Sequence, residues 1–205
     1  MPILKKQLAT PGLFQGKLVV GVFGTHKGAG VTHFCLLLAQ YASQYLGYKT
    51  AYIECYPGND IRFLQEQQID EMSIKKEFFC RQGVTYYPCV NEKRISEIMG
   101  DPYEFLILDL GSDFRNGKSE FFRCDRKIVI TSLTLWKRQE LNRFRMNTEH
   151  VKNNTQWFYM APFAGEKEIR LCFKELDINV CGIPFQPNPL VLTAAVIHFF
   201  QKVLK

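Results

Sequence analysis

Three glycines lie in a nine-residue segment whose residue types suit phosphate binding. The segment reads Gly24-Thr-His-Lys-Gly-Ala-Gly-Val-Thr32 and follows a short apolar run over residues 17–24 that is typical of a buried strand. Glycine permits positive φ and a close approach of the backbone, so successive N–H groups and the start of a following helix can face an anion. The segment therefore predicts a phosphate-binding loop. A glycine-rich turn that merely packs a strand against a helix is the alternative.

The end of this loop departs from the usual Gly-Lys-Ser/Thr sequence of phosphate-binding loops. Val31 stands where the lysine that reaches the β- and γ-phosphates is expected, whereas Thr32 keeps a hydroxyl where a magnesium ligand belongs. The loop and the residue that follows it are our predicted cofactor-binding residues: Gly24, Thr25, His26, Lys27, Gly28, Ala29, Gly30, Val31, Thr32 and His33.

A carboxylate ends the most apolar strand that the sequence predicts. Residues 105–109 read Phe-Leu-Ile-Leu-Asp, and ligands of open α/β sheets bind at the carboxyl ends of the strands. Asp109 could hold a magnesium ion there, directly or through water, and a structural acid that caps the turn is the alternative. The glycine loop and Asp109 together are a much more specific sign of a ligand site than either feature alone.

Apolar strand-like segments alternate with helical patterns along the chain. This alternation predicts one α/β domain over residues 17–205, built as a doubly wound, mostly parallel sheet with helices on both faces, after a basic arm over residues 1–16. The predicted strands cover residues 17–24, 49–54, 84–88, 105–109, 127–131, 156–160 and 179–183. The predicted helices cover residues 32–46, 61–66, 92–99, 135–152, 166–176 and 190–205.

Composition excludes several classes of protein. The chain has 205 residues, of which 46% are hydrophobic and 22% charged, which is an ordinary globular balance. No apolar stretch is long enough to span a membrane, and the start of the chain lacks the apolar run of a signal peptide. The 7 cysteines are odd in number and form no Cys-x-x-Cys pair, so neither a disulfide framework nor a zinc finger is indicated. We therefore expect a cytoplasmic protein.

The formal net charge of +6 is concentrated in one region. Residues 115–152 contain ten Lys or Arg against four Asp or Glu, and the predicted helix there presents Lys137, Arg138, Arg143 and Arg145. These cations could contact a nucleic-acid backbone without sequence specificity, an acidic protein or anionic lipid. A solvated helix face is the alternative reading.

The order of the motifs resembles the ParA/MinD family of deviant P-loop ATPases. The resemblance runs from residue 18 to about residue 205, and the Gly-x-Gly-Val-Thr ending of the loop is most similar to the CpaE/TadZ branch. That branch is associated with the assembly and polar placement of Tad-type pili, and its members often lack the P-loop lysine. Besides the loop, the segments that carry the resemblance are Ala51-Tyr-Ile-Glu-Cys-Tyr-Pro57, Asp109-Leu-Gly111, Lys127-Ile-Val-Ile-Thr-Ser132 and Gly182-Ile-Pro-Phe185.

The resemblance implies a MinD-like P-loop fold that binds ATP or ADP with Mg²⁺ and forms a homodimer. When Gly30 is aligned with the last loop glycine of the family, His26 falls on the place of the family's signature lysine, and Lys27 is a shifted substitute. In place of the family's Asp-x-Asp, Glu54 keeps a carboxylate near the magnesium, and Tyr56 stands where a water-orienting aspartate is expected.

Roles for individual residues follow from this alignment. Lys27, Glu54 and Asp109 are implied as catalytic, and Thr32, Glu54 and Asp109 as ligands of Mg²⁺. Pro184 and Phe185 match the family's Ile-Pro turn and are expected to flank the base, with a plain rigid turn equally open.

The charged groups that the site lacks decide which function the sequence favours. Phosphoryl transfer depends on positioning and charge neutralisation, and this chain has lost a loop cation and a carboxylate that positions water. We therefore expect weak or no ATP hydrolysis in a degenerate, dimeric localisation or assembly factor. Protein partners in a localisation or secretion machinery, such as that of Tad pili, would recruit it to the membrane or cell pole. The alternative is an active ParA-type ATPase that binds DNA nonspecifically through the basic helix.

Overall fold

The computed structural model describes residues 16–58, 60–66, 77–151 and 154–204. The predicted basic arm lies outside these residues except for Gly16. In chain order the helices and strands are β1 Leu18–Gly24, α1 Val31–Gln40, β2 Thr50–Glu54, α2 Arg62–Glu66, β3 Phe79–Arg81, β4 Val84–Tyr87, α3 Glu92–Gly100, β5 Phe105–Asp109, α4 Phe114–Arg123, β6 Arg126–Ile130, α5 Arg138–Thr148, β7 Phe158–Pro162, α6 Glu166–Leu176, β8 Val180–Ile183 and α7 Ala194–Val203.

The strands form a single sheet within the described residues. Its 8 strands follow the order β3-β4-β2-β5-β1-β6-β7-β8, so β1 lies near the centre between β5 and β6. Every pairing is parallel except that of β3 with β4, which places one short antiparallel strand at an edge. The predicted doubly wound, mostly parallel sheet is therefore confirmed.

Helices cover both faces of this sheet. Successive side chains of a strand point to opposite faces, so Val20 and Val22 join one hydrophobic core while Val19 and Phe23 join the other. The first core contains α1 and the buried residues of α7, and the second contains buried residues of α3, α4, α5 and α6. All seven residues of β1 are buried, which explains its continuous apolar sequence.

The structure differs from the sequence prediction mainly at helix starts and in two extra elements. α5 begins at Arg138 instead of residue 135, and α7 begins at Ala194 instead of residue 190, where Thr193 accepts a hydrogen bond from the backbone N–H of Val196. The predicted helix over residues 32–46 ends in a π-helical turn, Tyr41–Tyr45. The sequence pattern did not predict β3 or α4.

Candidate functional site

The carboxyl ends of the parallel strands bring the predicted site residues to one edge of the sheet. Glu54 ends β2 and lies beside Asp109 at the end of β5, and Asp109 in turn pairs with Val22 of β1. The glycine loop continues from Gly24 at the end of β1 and leads into α1. Residues that are far apart in the sequence are thus adjacent because parallel strands share one carboxyl edge.

The loop has the backbone that its glycines predict. Gly28 and Gly30 adopt φ values of +82° and +99°, which L-amino acids with a side chain rarely adopt. Gly30 precedes the first residue of α1 without a side-chain cap, and the first turn of α1 contains no acidic residue. The N–H groups of that turn have no acceptor within the helix, so this end of α1 attracts an anion.

A cavity of about 710 Å³ opens beside the loop. Its walls come from the loop, from the segment after β2 and from the segment between β5 and the first half of α4. The loop residues that line it are His26, Lys27, Gly28, Ala29, Gly30, Val31, Thr32 and His33. The other two predicted loop residues lie outside the lining: Gly24 packs against Val31, and Thr25 bonds Thr131 through their hydroxyls at 3.0 Å.

Thr32 and Asp109 are in direct contact. The Thr32 hydroxyl donates to Asp109 Oδ2 at 2.8 Å, the Tyr52 hydroxyl donates to the same oxygen, and the N–H of Gly111 donates to Asp109 Oδ1 at 3.1 Å. Burial raises the pKa of Asp109, and the hydrogen bonds from Tyr52, Thr32 and Gly111 oppose that rise. Both oxygens of this buried carboxyl therefore accept hydrogen bonds from other residues of the protein.

Tyr56 projects into the site from the segment after β2. Its hydroxyl lies 2.9 Å from Thr32 Oγ1 and 3.3 Å from Asp60 Oδ2, and its ring lines the cavity. Burial, with Asp109 nearby, raises the pKa of Tyr56, so the hydroxyl keeps its proton at neutral pH. The alignment marked Tyr56 only as a lost aspartate, and its contact with Thr32 was not predicted.

Glu54 is completely buried. Its Oε2 accepts a hydrogen bond from the N–H of Cys89 at 3.0 Å, whereas Oε1 has no hydrogen-bond partner among the described residues. Burial raises the pKa of Glu54 to about 7, with the Cys89 N–H acting against that rise and Asp109 adding to it.

The arrangement does not fit a magnesium ion as the alignment implied. Glu54 and Asp109 do not line the cavity, and the hydroxyl of Thr32 is bonded to Asp109 on one side and Tyr56 on the other. Two other acids line the cavity, but Asp113 accepts bonds from Arg115 and Asn116 at the start of α4, and Asp60 lies against the Tyr56 hydroxyl. No group of three or more His, Cys, Asp or Glu suited to a metal occurs in the described part of the chain.

The two candidate cations of the loop differ in their surroundings. Lys27 is exposed at the wall of the cavity. His26 is partly buried, and burial followed by the nearby Lys137 lowers its pKa, with Glu140 acting against the shift. His26 is therefore neutral at pH 7, and of the two side chains Lys27 brings the positive charge.

Pro184 and Phe185 follow β8 and do not line the cavity. The Phe185 ring is 73% exposed and contacts the Phe163 ring after β7, with 5.8 Å between centroids. The turn is joined to the loop through His33, whose Nε2 lies 2.7 Å from the carbonyl oxygen of Gln186. Phe163 was not predicted as a site residue, although the sequence places an aromatic residue after each of the two strands.

The basic residues of α5 are partly neutralised by neighbouring acids. Arg138 forms an ion pair with Glu175 of α6, and Arg143 forms one with Glu140 at 2.8 Å. Arg145 is exposed and Lys137 lies near His26. Beside them, Leu135 and Trp136 are 81% and 78% exposed at the end of the sheet that carries the loop. No helix in the described ranges is both long and apolar enough for a transmembrane span.

Comparison with known proteins finds solved structures of similar fold and no similar sequence. No protein-family model and no curated protein sequence matches the chain. MinD of Aquifex aeolicus is similar in structure, with a TM-score of 0.67, 14% identity, and coverage of 91% of this chain and 97% of MinD. A Borrelia burgdorferi plasmid partition protein bound to AMPPNP has a TM-score of 0.63 at 11% identity, with 92% and 97% coverage.

A third structure, MinD of Pyrococcus horikoshii in complex with Mg-ADP, has a TM-score of 0.60 at 12% identity, with 89% of this chain and 86% of that protein covered. At such low identities the likeness is one of fold. The described residues adopt the fold of the MinD/ParA P-loop NTPases.

Proposed function

We propose that the protein binds ATP or ADP at the loop over residues 24–32 and acts as a ParA/MinD-like localisation or assembly factor. The observation that carries the proposal is the cavity of about 710 Å³ that the loop and the start of α1 line. The similar Borrelia and Pyrococcus proteins were solved with AMPPNP and Mg-ADP, which supports a nucleotide as the ligand.

The phosphates would contact the backbone of the loop. The positive φ of Gly28 and Gly30 turns the chain into the uncapped first turn of α1, and Lys27 adds a positive charge at the cavity wall. Backbone amides of a loop, together with one positively charged side chain, commonly bind an anion in proteins.

The base would lie toward Phe163 and Phe185. These exposed rings follow β7 and β8 and are tied to the loop through the contact of His33 with Gln186. Aromatic rings stack on any base, so this arrangement favours weak discrimination between bases.

Hydrolysis would be slow or absent. The chain has Val31 in place of the P-loop lysine and Tyr56 in place of the water-orienting aspartate that the family resemblance leads us to expect. Both losses remove groups that position and neutralise the reacting phosphate. Nucleotide would then serve mainly as a switch, as the similarity to the CpaE/TadZ branch and Tad pilus assembly suggests.

The switch would act through a homodimer and through protein partners of a localisation or secretion machinery. The factor itself would be cytoplasmic and would be recruited to the membrane or pole by those partners. Leu135, Trp136, Phe163 and Phe185 are exposed apolar side chains at the same edge of the sheet as the loop. Burial of such side chains against a second copy would stabilise a dimer.

The alternative function, an active ATPase that binds DNA nonspecifically through α5, has less support. Arg138 and Arg143 are paired with Glu175 and Glu140, so fewer cations are available for phosphates of DNA than the sequence indicates. Strong DNA binding that requires ATP and weakens steeply with salt would favour this alternative.

Calorimetric titration with ATP and ADP tests the proposed function. Lys27→Ala should weaken binding about tenfold, because a hydrogen bond to a charged group contributes about 1.5–3 kcal/mol and the exposed position reduces that value. Lys93→Ala, an exposed lysine of α3 outside the cavity, is the matched control and should bind as the unaltered protein does. Absence of binding up to millimolar nucleotide would overturn the proposal.

A further inference from the structure

The hydroxyl of Thr32 is the candidate metal ligand that faces the cavity, and it already contacts two other side chains. A hydroxyl has one proton, and Thr32 donates its proton to Asp109 Oδ2 at 2.8 Å. The Tyr56 hydroxyl lies 2.9 Å from Thr32 Oγ1 and donates to Asp60 Oδ2 at 3.3 Å. The Tyr56 hydroxyl therefore occupies the position beside Thr32 Oγ1 from which a metal in the cavity would approach.

Two glycines provide the space for the Tyr56 ring. A Cβ atom built at Gly111 would lie 3.0 Å from Cδ1 of the ring, and one built at Gly58 would lie 2.3 Å from Cε2. Gly111 also has a φ of +62°, a conformation that disfavours side chains. The ring is thus held in a slot of the backbone, and its hydroxyl is directed toward Thr32 by this packing.

The two acids that the alignment implied as metal ligands are unavailable from the cavity, and the two acids that line it have partners of their own. Glu54 and Asp109 are fully buried and outside its lining, Asp113 caps α4, and Asp60 Oδ2 lies 3.3 Å from the Tyr56 hydroxyl. A cation beside Thr32 would have to displace the Tyr56 hydroxyl from its contacts with Thr32 and Asp60.

We propose that Tyr56 takes the place of the magnesium ion, so that the protein binds nucleotide without a metal. This inference rests on the proposed function and adds that nucleotide binding at the same site requires no metal. The Tyr56 hydroxyl holds Thr32 and closes the position beside it, and the phosphates are left to the loop amides and Lys27. Tyr56 is then the residue that makes nucleotide binding independent of a metal.

The test measures the dissociation constants of ADP and ATP by calorimetry, once with Mg²⁺ and once with EDTA. For the unaltered protein we expect the two values to agree within about twofold, a difference of less than about 0.5 kcal/mol. Tyr56→Ala opens the position, and magnesium should then tighten binding about tenfold or more. Tyr56→Phe removes only the hydroxyl, frees the position beside Thr32 Oγ1, and should gain a smaller dependence on magnesium.

Tyr45→Phe is the matched control, because Tyr45 bonds Gln201 outside the cavity. It should behave as the unaltered protein. Circular dichroism checks the fold of each variant, and Tyr56→Phe, which keeps the ring in its slot, carries the test if Tyr56→Ala does not fold.

Three results would overturn the inference. The first is binding by the unaltered protein that magnesium tightens about tenfold, and the second is a Tyr56→Phe variant whose affinity is as insensitive to magnesium as that of the unaltered protein. Either would leave the nucleotide site itself intact. The third is absence of binding by every variant in both buffers, which would overturn the proposed function together with this inference.

Discussion

At the residue scale, Glu54 is the most unusual acid of the site. It has no exposed surface, one oxygen bonded to the N–H of Cys89, and the other without a partner in the described ranges. Burial raises the pKa of Glu54 from 4.5 to about 7, and the facing acids Asp109 and Asp60 add to the rise. Such a carboxyl carries a proton in the folded protein under conditions where it would be ionised in the unfolded chain.

This difference predicts how stability changes with pH. Between about pH 4.5 and about pH 7 the folded state holds more protons than the unfolded state, so the free energy of unfolding falls as pH rises through that window. Glu54→Gln should remove this contribution and stabilise the protein by about 1–2 kcal/mol near pH 8. Burial also raises the pKa of Asp109. Its contribution to the change of the free energy of unfolding with pH remains in both proteins.

Urea unfolding measured at several values of pH, with the variant beside the unaltered protein, checks this prediction. Parallel stability curves for the two proteins over the whole range would contradict the account of Glu54.

The sequence predicted which residues meet at the site better than how they bond. Parallel strands share a carboxyl edge, so the nearness of the loop and Asp109 followed from the order of the motifs. The contact of Tyr56 with Thr32 depends on Gly58 and Gly111, and the pairing of Phe163 with Phe185 depends on neighbouring strand ends. Local sequence patterns do not contain such tertiary relations.

At the scale of elements, α4 was missed for an identifiable reason. Its sequence contains Gly117 and several polar residues, which indicate a loop when the sequence is read alone. In the fold, a Cβ built at Gly117 would lie 3.4 Å from Phe23 Cε2, an ordinary van der Waals contact with β1, so packing against the sheet and not local propensity accounts for this helix. β3 was missed because three residues at a sheet edge give too short a pattern.

The close approach of α4 and β1 also predicts the effect of a substitution. A Cβ built at Gly21 would lie 2.7 Å from Cys124 Sγ and 3.2 Å from the Phe121 ring, both buried. Gly21→Ala should therefore destabilise the protein by about 1–3 kcal/mol, because overpacking forces side chains or backbone to shift. Gly100→Ala, with no atom within 4 Å of its built Cβ, is the control and should cost little. Equal midpoints of thermal unfolding for both variants would contradict this packing.

At the scale of the whole molecule, the faces of the sheet differ from the edge that carries the loop. Its faces are covered by helices, whereas the edge with the loop leaves Leu135, Trp136, Phe163 and Phe185 exposed. A dimer formed across this edge would bury these side chains and enclose the nucleotide at once. This geometry gives a physical reason why nucleotide binding and self-association should be coupled.

The proposed dimer predicts a sensitive position. Trp136→Asp should prevent dimer formation in the presence of a nonhydrolysable ATP analogue, because it places a charge in an apolar contact. Met146→Asp changes an exposed apolar residue on α5 away from the described site and is the control. Light scattering on chromatography fractions gives the mass. A nucleotide-dependent dimer that survives Trp136→Asp would show that this edge is not the interface.

The central claim is that the amides of the glycine loop bind the phosphates of a nucleotide. A crystal structure with AMPPNP, grown without magnesium, tests it most directly. We expect the phosphates against the N–H groups of residues 28–32, with Tyr56 still bonded to Thr32 and the base near Phe163 and Phe185. Nucleotide bound elsewhere, or a loop without nucleotide at saturating AMPPNP, would contradict the account.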